Sequence, residues 1–360
     1  MKQLALEKSA TINVCIVEKG EEVGAHILSG NVFEPTALHE LFPNWKELDP
    51  PIYTPVTDDT FYLLTEKNSF SIPNLLLPSQ FRNHGNYVIS LSQLTRWLAS
   101  KAEEFGVEIY PGFAASEVLY DANGRVKGIA TTDMGISKDG NKKDSFTPGI
   151  ELHAQQTIFA EGCRGSCSEE IINHFRLRDG KDVQSYGLGI KEVWEVPEDQ
   201  CRPGFVAHTL GWPLQSSLFS NDTFGGGFLY HMKPNLILVG VVVGLDYGNT
   251  YLNPYKEFQR WKLHPTIASH LRNGKCIAYG ARALNEGGYH AIPKLTFPGG
   301  EGCITKFAER HLSNFRSSHR LLGWVFELSE DQGHTYRHEK WNASRGDSDA
   351  ELLRRIQVRL

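Results

Sequence analysis

The hydrophobic pattern of this chain is clearest close to its start. Val14 to Val17 form an unbroken apolar run bounded by Asn13, Glu18 and Gly20. A run without alternation predicts a strand buried on both faces, as in a parallel sheet. Met1 to Lys8, with Leu4, Ala5 and Leu6, predicts helical turns before it. Pro35 at a first helical position, Ala37, Leu38, Leu41 and Phe42 on one face, and Pro43 at the end predict a short apolar helix. Residues 49 to 90 carry Pro50, Pro51, Pro55, Pro73 and Pro78 among short apolar runs, which predicts loops and edge strands in an insertion. Helical spacing is strongest over Leu91 to Phe105: Ser90 and Gln93 fit a capping box, Leu91, Leu94, Trp97, Leu98, Ala102 and Phe105 share a face, and Gly106 stops it. A strand over Val107 to Tyr110 follows. Glu117 to Tyr120 and Val126 to Thr132, joined through Asn123-Gly124, then predict a hairpin.

From Thr157 the pattern changes twice. Thr157 to Ala160 predicts a core strand, Glu161 to Gly165 a glycine turn, and Ser168 the head of a helix containing Ile171, Ile172 and Phe175. Tyr186 to Val196, Phe205 to Trp212, Phe228 to Met232 and Leu236 to Leu245 are rich in aromatic and β-branched residues and predict one largely antiparallel sheet. Asn253, with Pro254 behind it, caps a helix bearing Tyr255, Phe258 and Trp261. The chain then returns through Cys276 to Ala283 to the glycines of Asn285 to Gly288 and Phe297 to Gly300.

Composition narrows the class. At 360 residues, 40% hydrophobic and 22% charged, the chain can bury a sizeable core in one large or two medium domains. A formal net charge of -5 provides no basic field for nucleic acid. The longest apolar stretch, Leu236 to Leu245, is too short to span a bilayer. Six cysteines, at 15, 163, 167, 201, 276 and 303, lack metal-type spacing and read as reduced thiols.

The candidate chemistry begins at Glu18. A carboxylate at the end of a parallel strand can accept hydrogen bonds from an adenosine ribose, while a pyrophosphate rests on a helix start nearby. Taken alone, such a glutamate is more often merely a solvated strand end. The 161 to 165 turn would deliver a second set of backbone N–H groups, and alone it is also an ordinary strand-to-helix turn. The Gly-rich phosphate loop should precede Glu18 by about 20 residues, and residues 1 to 17 contain no glycine. The chain is therefore expected to begin inside its own nucleotide-binding unit.

Longer motifs carry more information. Glu18 to Gly30, Asn83-His-Gly-Asn-Tyr87, Phe159-Ala-Glu-Gly-Cys163 and Gly225-Gly226 with Phe228-Leu-Tyr-His231 occur in order, followed by Gly240 to Tyr247, Tyr279 to Gly288 and Ile292 to Gly300. Together they resemble the electron transfer flavoprotein-ubiquinone oxidoreductases over nearly all of residues 1 to 300. The resemblance implies an α/β (mixed α+β) fold: a partial FAD-binding Rossmann-like domain from 1–30, 91–180 and 275–300, with an inserted antiparallel-sheet ubiquinone-binding domain at 181–274. Residues 31–90 would be a membrane-associating insertion and 301–360 a divergent tail. It further implies FAD held by Glu18, Gly24, Gly162, Gly287, Gly288, Gly299 and Gly300, and ubiquinone held at Gly225 and Gly226. No acid-base pair is expected, since the redox chemistry belongs to the cofactors.

The implied partners are reduced electron transfer flavoprotein, ubiquinone, and one leaflet of a membrane touched by Val23 to Asn44. The implied location is the matrix face of the mitochondrial inner membrane, or the bacterial membrane in a prokaryote. Without the resemblance, the helix at 35 to 42 reads as a core helix; with it, Trp45 falls where interfacial aromatics sit. His26, His84 and His231 receive no catalytic role, although His231 is the first to test for quinone protonation. Two departures stand out. The family's four-iron cluster requires C-x-x-C-x-x-C ligands that this chain lacks, and Glu301 to Leu360 does not resemble the family. Its mixed charge and sparse apolar positions predict a loosely packed segment. The rival readings are a catalytically silent partial chain and a related flavin-dependent reductase.

Overall fold

The computed structural model describes residues 1–28, 30–215, 223–294 and 303–304. In chain order the first elements are α1 (Lys2–Glu7), β1 (Cys15–Glu18), β2 (Asn31–Phe33), α2 (Thr36–Leu41), β3 (Thr54–Pro55), β4 (Asp58–Leu64), β5 (Ser69–Ile72), β6 (Tyr87–Ile89) and α3 (Leu91–Glu104). There follow β7 (Glu108–Pro111), β8 (Ala115–Tyr120), β9 (Val126–Thr131), β10 (Met134–Ile136), β11 (Lys142–Thr147), β12 (Glu151–His153), β13 (Ile158–Phe159) and α4 (Ser166–His174). The last are β14 (Tyr186–Glu195), β15 (Phe205–Gly211), β16 (Gly225–Met232), β17 (Leu236–Gly244), α5 (Pro254–Leu263), α6 (Pro265–Leu271), β18 (Lys275–Asn285) and β19 (Cys303–Ile304).

Local chemistry sets most boundaries. Ser90 Oγ accepts from the Gln93 N–H at the start of α3, and Gly106, at φ +77°, takes the left-handed conformation that ends it. Asn253 Oδ1 accepts from the Lys256 N–H at 3.1 Å and caps α5. In the β8–β9 hairpin, Asp121 Oδ1 accepts from both Asn123 and Arg125 N–H groups, so the turn is a five-residue loop organised by Asp121. α4 begins at Ser166, two residues before the sequence expectation, with Gly165 as its cap. The hydrophobic pattern does not foreshadow α6; Pro265 and the His264 side chain, which accepts from Thr266 N–H, start it.

A seven-stranded sheet in the order β18-β14-β17-β16-β15-β4-β5 forms the largest layer. Every pairing in it is antiparallel except the parallel β15–β4 contact. The sheet reaches outside residues 181–274, because β4 and β5 join one side and β18 the other. β4 lies inside this sheet with Phe61 and Leu64 buried, which corrects the expectation of only loops and edge strands over 49 to 90. Phe61 and Leu64, three residues apart, turn to opposite faces and pack into separate clusters, so both faces of β4 are covered, which the polar flanks and prolines around it hide in the sequence.

One face of the sheet packs on α5 and α6 through a core including Leu229, Val239, Val241, Phe258, Trp261 and Ile267. The other packs Val206, Phe228, Tyr230 and Leu238 against Val32, Val56 and Val88 of the β2-β6-β3 sheet and its flank. A further cluster joins α2 to α3: Phe33, Leu38, Phe42, Trp45, Ile52, Ile89 and Leu94 are all buried there. The α/β portion consists of two parallel pairs, β1–β7 and β13–β19. α4 turns Cys167, Ile171 and Ile172 toward Val118 and Ile129 of the β8–β9 hairpin.

β1 departs from its expected burial. It pairs with β7 alone among the described residues, Cys15 is exposed and Ile16 is 43% exposed. An apolar run fixes the strand, but its burial depends on what lies over each face.

Candidate functional site

The candidate residues of the first and last thirds of the chain meet beside β14 and β18. Arg282 of β18 donates from Nη1 to the His26 carbonyl at 3.1 Å, tying the loop after Glu18 to the large sheet. Cys163 Sγ, in the turn before α4, donates to the Ala283 carbonyl at 3.2 Å. Leu28 lies over Gly280, where a Cβ would touch its side chain at 3.4 Å. The Glu18 loop, the Gly162 turn and the start of the Asn285 to Gly288 stretch therefore border one region.

Within that region the candidates differ in kind. Glu18 is half-buried; its Oε1 accepts the Gly20 N–H at 2.6 Å, and its Oε2 accepts no hydrogen bond among the described residues. Gly162 and Gly288, at φ +85° and +68°, face open space, so their backbones are accessible to a ligand. Gly24 is committed to packing: a Cβ there would lie 2.9 Å from the Ser92 carbonyl oxygen in the first turn of α3. Gly287 is likewise occupied, with a Cβ position 2.5 Å from Ala291 Cβ. Gly299 and Gly300, with the tail beyond 304, lie outside the described residues.

Glu161 is a residue whose role the motif alone concealed. Its Oε2 accepts from the Ser168 N–H at 2.6 Å and from Ser168 Oγ at 2.7 Å, filling the N-terminal turn of α4. Gly165 makes this possible, because a Cβ there would sit 2.1 Å from Glu161 Cβ. The helix start is thus occupied by the chain's own carboxylate.

Gly225 and Gly226 open β16, opposite Val243 and Val242 of β17. Strand alternation turns them to opposite faces. Gly225 (φ +156°) admits Leu214, whose Cδ1 would lie 2.5 Å from a Cβ. Its neighbour Gly227 admits the Trp261 indole in the same way, at 2.4 Å. Gly226 and Gly227 line a cavity of about 10 Å³ with Thr209, Trp212, Leu214 and Trp261, too small for a quinone ring. A cleft of about 830 Å³ shares Gly211, Trp212, Pro213 and Leu214 with it and continues along Thr223, Asn249, Tyr251 and Arg260.

His231 is fully buried. It accepts the Arg202 N–H on Nδ1 at 2.9 Å, so its proton resides on Nε2 and is donated to His270 Nδ1 at 3.0 Å. Burial, with His270 and Arg202 nearby, lowers its pKa to about 3. It lies six residues from Gly225, roughly 20 Å along an extended strand. This neutral, enclosed pair does not supply protons at the glycines.

FAD fits the donor set in part: Glu18 offers an acceptor, and Gly162 and Gly288 offer accessible main chain. A four-iron cluster does not fit, since no group of three His, Cys, Asp or Glu side chains among the described residues could hold a metal.

The architecture of parallel β-pairs beside a large sheet is a fold shared with solved structures. The fold matches a geranylgeranyl bacteriochlorophyll reductase-like protein from Thermoplasma acidophilum with a TM-score of 0.59 at 14% identity, covering 91% of this chain and 76% of that one. A flavin-dependent brominase matches at 0.55 and 14% identity, over 92% of this chain and 78% of its own. In sequence the relationship is closer. Residues 186–284, from β14 almost to the end of β18, match the family model described as ETF-QO, ubiquinone-binding. Over 311 residues the chain is 56% identical to the electron transfer flavoprotein-ubiquinone oxidoreductase of Arabidopsis thaliana, which covers 85% of this chain and 48% of that protein. The Pseudomonas aeruginosa enzyme of the same name is 52% identical over 324 residues, covering 89% and 58%. The chain is a relative of the electron transfer flavoprotein-ubiquinone oxidoreductases, and it spans about half the length of the curated relatives it matches.

Proposed function

We propose that this chain provides the flavin- and quinone-binding part of an electron transfer flavoprotein-ubiquinone oxidoreductase. Electrons would come from reduced electron transfer flavoprotein and leave to ubiquinone in the respiratory chain. The observation that carries this reading is the match of residues 186–284 to a ubiquinone-binding model, on a sheet tied directly to the Glu18 loop by Arg282. FAD, when bound, supplies the electron-accepting ring. Glu18 would hold its ribose through the Oε2 atom, with Gly162 and Gly288 admitting it at the main chain. Gly225 and Gly226 would admit the quinone headgroup, and the neighbouring 830 Å³ cleft has the size of a small-molecule site.

The names of the plant and mammalian relatives support a mitochondrial placement; the inner membrane with its matrix face, or the bacterial membrane in a prokaryote, is part of this proposal. No helix among the described residues is long and apolar enough to cross a bilayer. Val23 to Asn44 was expected to meet the leaflet, with Trp45 at the interface. Instead Leu38, Phe42 and Trp45 pack inward, Trp45 edge-on to Tyr87 at 5.9 Å between ring centres. Burying the indole in the α2–α3 cluster removes more apolar surface from water than leaving it outside. Leu41 (46% exposed) is the apolar side chain α2 leaves outside, and Phe70, Leu75 and Leu76 are 58%, 85% and 73% exposed. In this reading they make the membrane contact.

The test is spectroscopic. The purified chain titrated with FAD should quench flavin fluorescence and shift its absorption bands, and the complex, once reduced by reduced electron transfer flavoprotein, should pass those electrons to a short-tail ubiquinone and return to the oxidised flavin spectrum. Failure to bind FAD at any concentration would leave the catalytically silent form.

A further inference from the structure

β14 contains one lysine, and the sheet register defines its surroundings. Lys191 lies opposite Gly240 of β17 and Gly280 of β18. On the same face, Gly189 pairs with Val242, which in turn pairs with Gly226 of β16. One side of Lys191 is the apolar cluster of Val193, Phe228, Tyr230 and Leu238. On the other side the face is glycine-rich, with Gly187, Gly189, Gly226 and Gly244; the Glu286 carboxylate lies against Gly187 and Leu284 against Gly189. Lys191 stands at that boundary.

Its charge is not matched. Nζ donates to the Gly30 carbonyl at 3.2 Å and lies 5.4 Å from the Phe228 ring centre, and it forms no ion pair among the described residues. Burial alone lowers its pKa to about 8. Gly30 (φ +112°) closes over it, against Leu238. Arg282, on the same face by register, also spends its guanidinium on a main-chain carbonyl of this loop, that of His26. Two cations thus face the seam between the Glu18 loop and the sheet, each bound to a neutral acceptor. An ammonium drawn from water without a counter-charge is costly. The arrangement is suited to a neighbour that gains negative charge.

We propose that Lys191 is a positioning residue that sets the charge of the sheet face carrying Gly226, placing one positive charge beside a flat conjugated ligand, a flavin or quinone ring, that becomes more negative on reduction. This deepens the functional reading above and rests on it. One electron added to a neutral ring leaves one extra negative charge; in the test, dithionite supplies that electron and is oxidised.

The experiment compares the purified chain with Lys191→Met and Lys191→Arg, in separate arms with FAD and with a short-tail ubiquinone, and measures the preference for reduced over oxidised ligand against reference dyes. Loss of a charge at this range should lower that preference roughly tenfold in Lys191→Met, and Lys191→Arg should restore most of it. The arm showing the loss identifies the ring. The gap between wild type and Lys191→Met should close as pH rises through the lysine's titration, which a purely structural residue would not produce. Thermal melts should show Lys191→Met at least as stable as wild type, because a methionine removes a desolvated cation. If Lys191→Met failed to fold, the wild-type pH profile and Lys191→Arg would still decide the matter. An unchanged preference in Lys191→Met with ligand bound would overturn this inference alone. Binding of neither ligand by the wild type would overturn the functional reading and this inference with it.

Discussion

Glu192 and Lys262 form a buried ion pair that fastens α5 to the large sheet: Nζ lies 2.7 and 2.9 Å from the two carboxylate oxygens, with side chains only 8% and 12% exposed. Trp194 Nε1 donates to the same carboxylate at 2.7 Å, and the ammonium sits 5.0 Å from the Phe258 ring centre. Removing one partner strands the other. Lys262→Met should cost about 3–5 kcal/mol in urea unfolding, and adding Glu192→Leu should recover a large part of it. Equal losses in single and double variants would show that packing, rather than the stranded charge, controls this contact.

The His231–His270 pair predicts acid sensitivity. Burial lowers the pKa of His231 to about 3 and of His208 to about 4, and lowers that of His270. The unfolded chain binds protons on these rings as pH falls below about 6.5 while the folded chain does not, so stability must fall with it. Each such ring removes up to about 1.4 kcal/mol per pH unit in that window. Chemical denaturation at pH 7.5 and 5.0 should show the loss. His231→Asn, which can still accept from Arg202 N–H, should have a shallower slope.

Lys191 predicts a change at the opposite end of the pH scale. Its pKa of about 8 lies below the ordinary lysine value of 10.5. The unfolded state therefore holds the extra proton between those values, and stability should rise with pH across that window. In Lys191→Met the rise should be smaller, as read from denaturation midpoints at pH 7.5 and 9.5.

At the start of α4, Glu161→Ala leaves the Ser168 N–H and hydroxyl without their acceptor. A loss of about 1–2 kcal/mol is expected from the unmade cap. Gly165→Ala should be worse, because its Cβ would lie 2.1 Å from Glu161 Cβ. Hydrogen exchange over 166–174 would locate the damage.

Leu75 and Leu76 provide the check on membrane contact. Leu75→Ser with Leu76→Ser should leave the melting temperature nearly unchanged, since both side chains already face water. Their sedimentation with vesicles should fall. Unaltered vesicle binding would move the contact elsewhere.

Much of the organisation is legible in residue order. α3 and α5 follow from capping side chains and helical spacing, and the four long strands β14 to β17 follow from runs rich in aromatic and β-branched residues with turn residues between them, because these signals act within a few residues of one another. The motifs around Gly225 and Asn285 likewise pointed to the family. Other features did not follow from local pattern. Proline-rich flanks hid the interior strand β4, an apolar run made β1 appear buried, and a resemblance set Trp45 at a membrane interface.

The sequence by itself determined the helices α3 and α5, the long strands β14 to β17, and the family that its motifs resemble. Only the tertiary structure decided that Glu161 fills its own helix start, that His231 donates a hydrogen bond to His270, and that Lys191 faces Gly30 without a counter-charge among the described residues. The reason is physical. Hydrogen bonding and backbone preference act between near neighbours in the chain, whereas burial and charge compensation depend on which distant segments arrive, as Gly30 does 161 residues before Lys191.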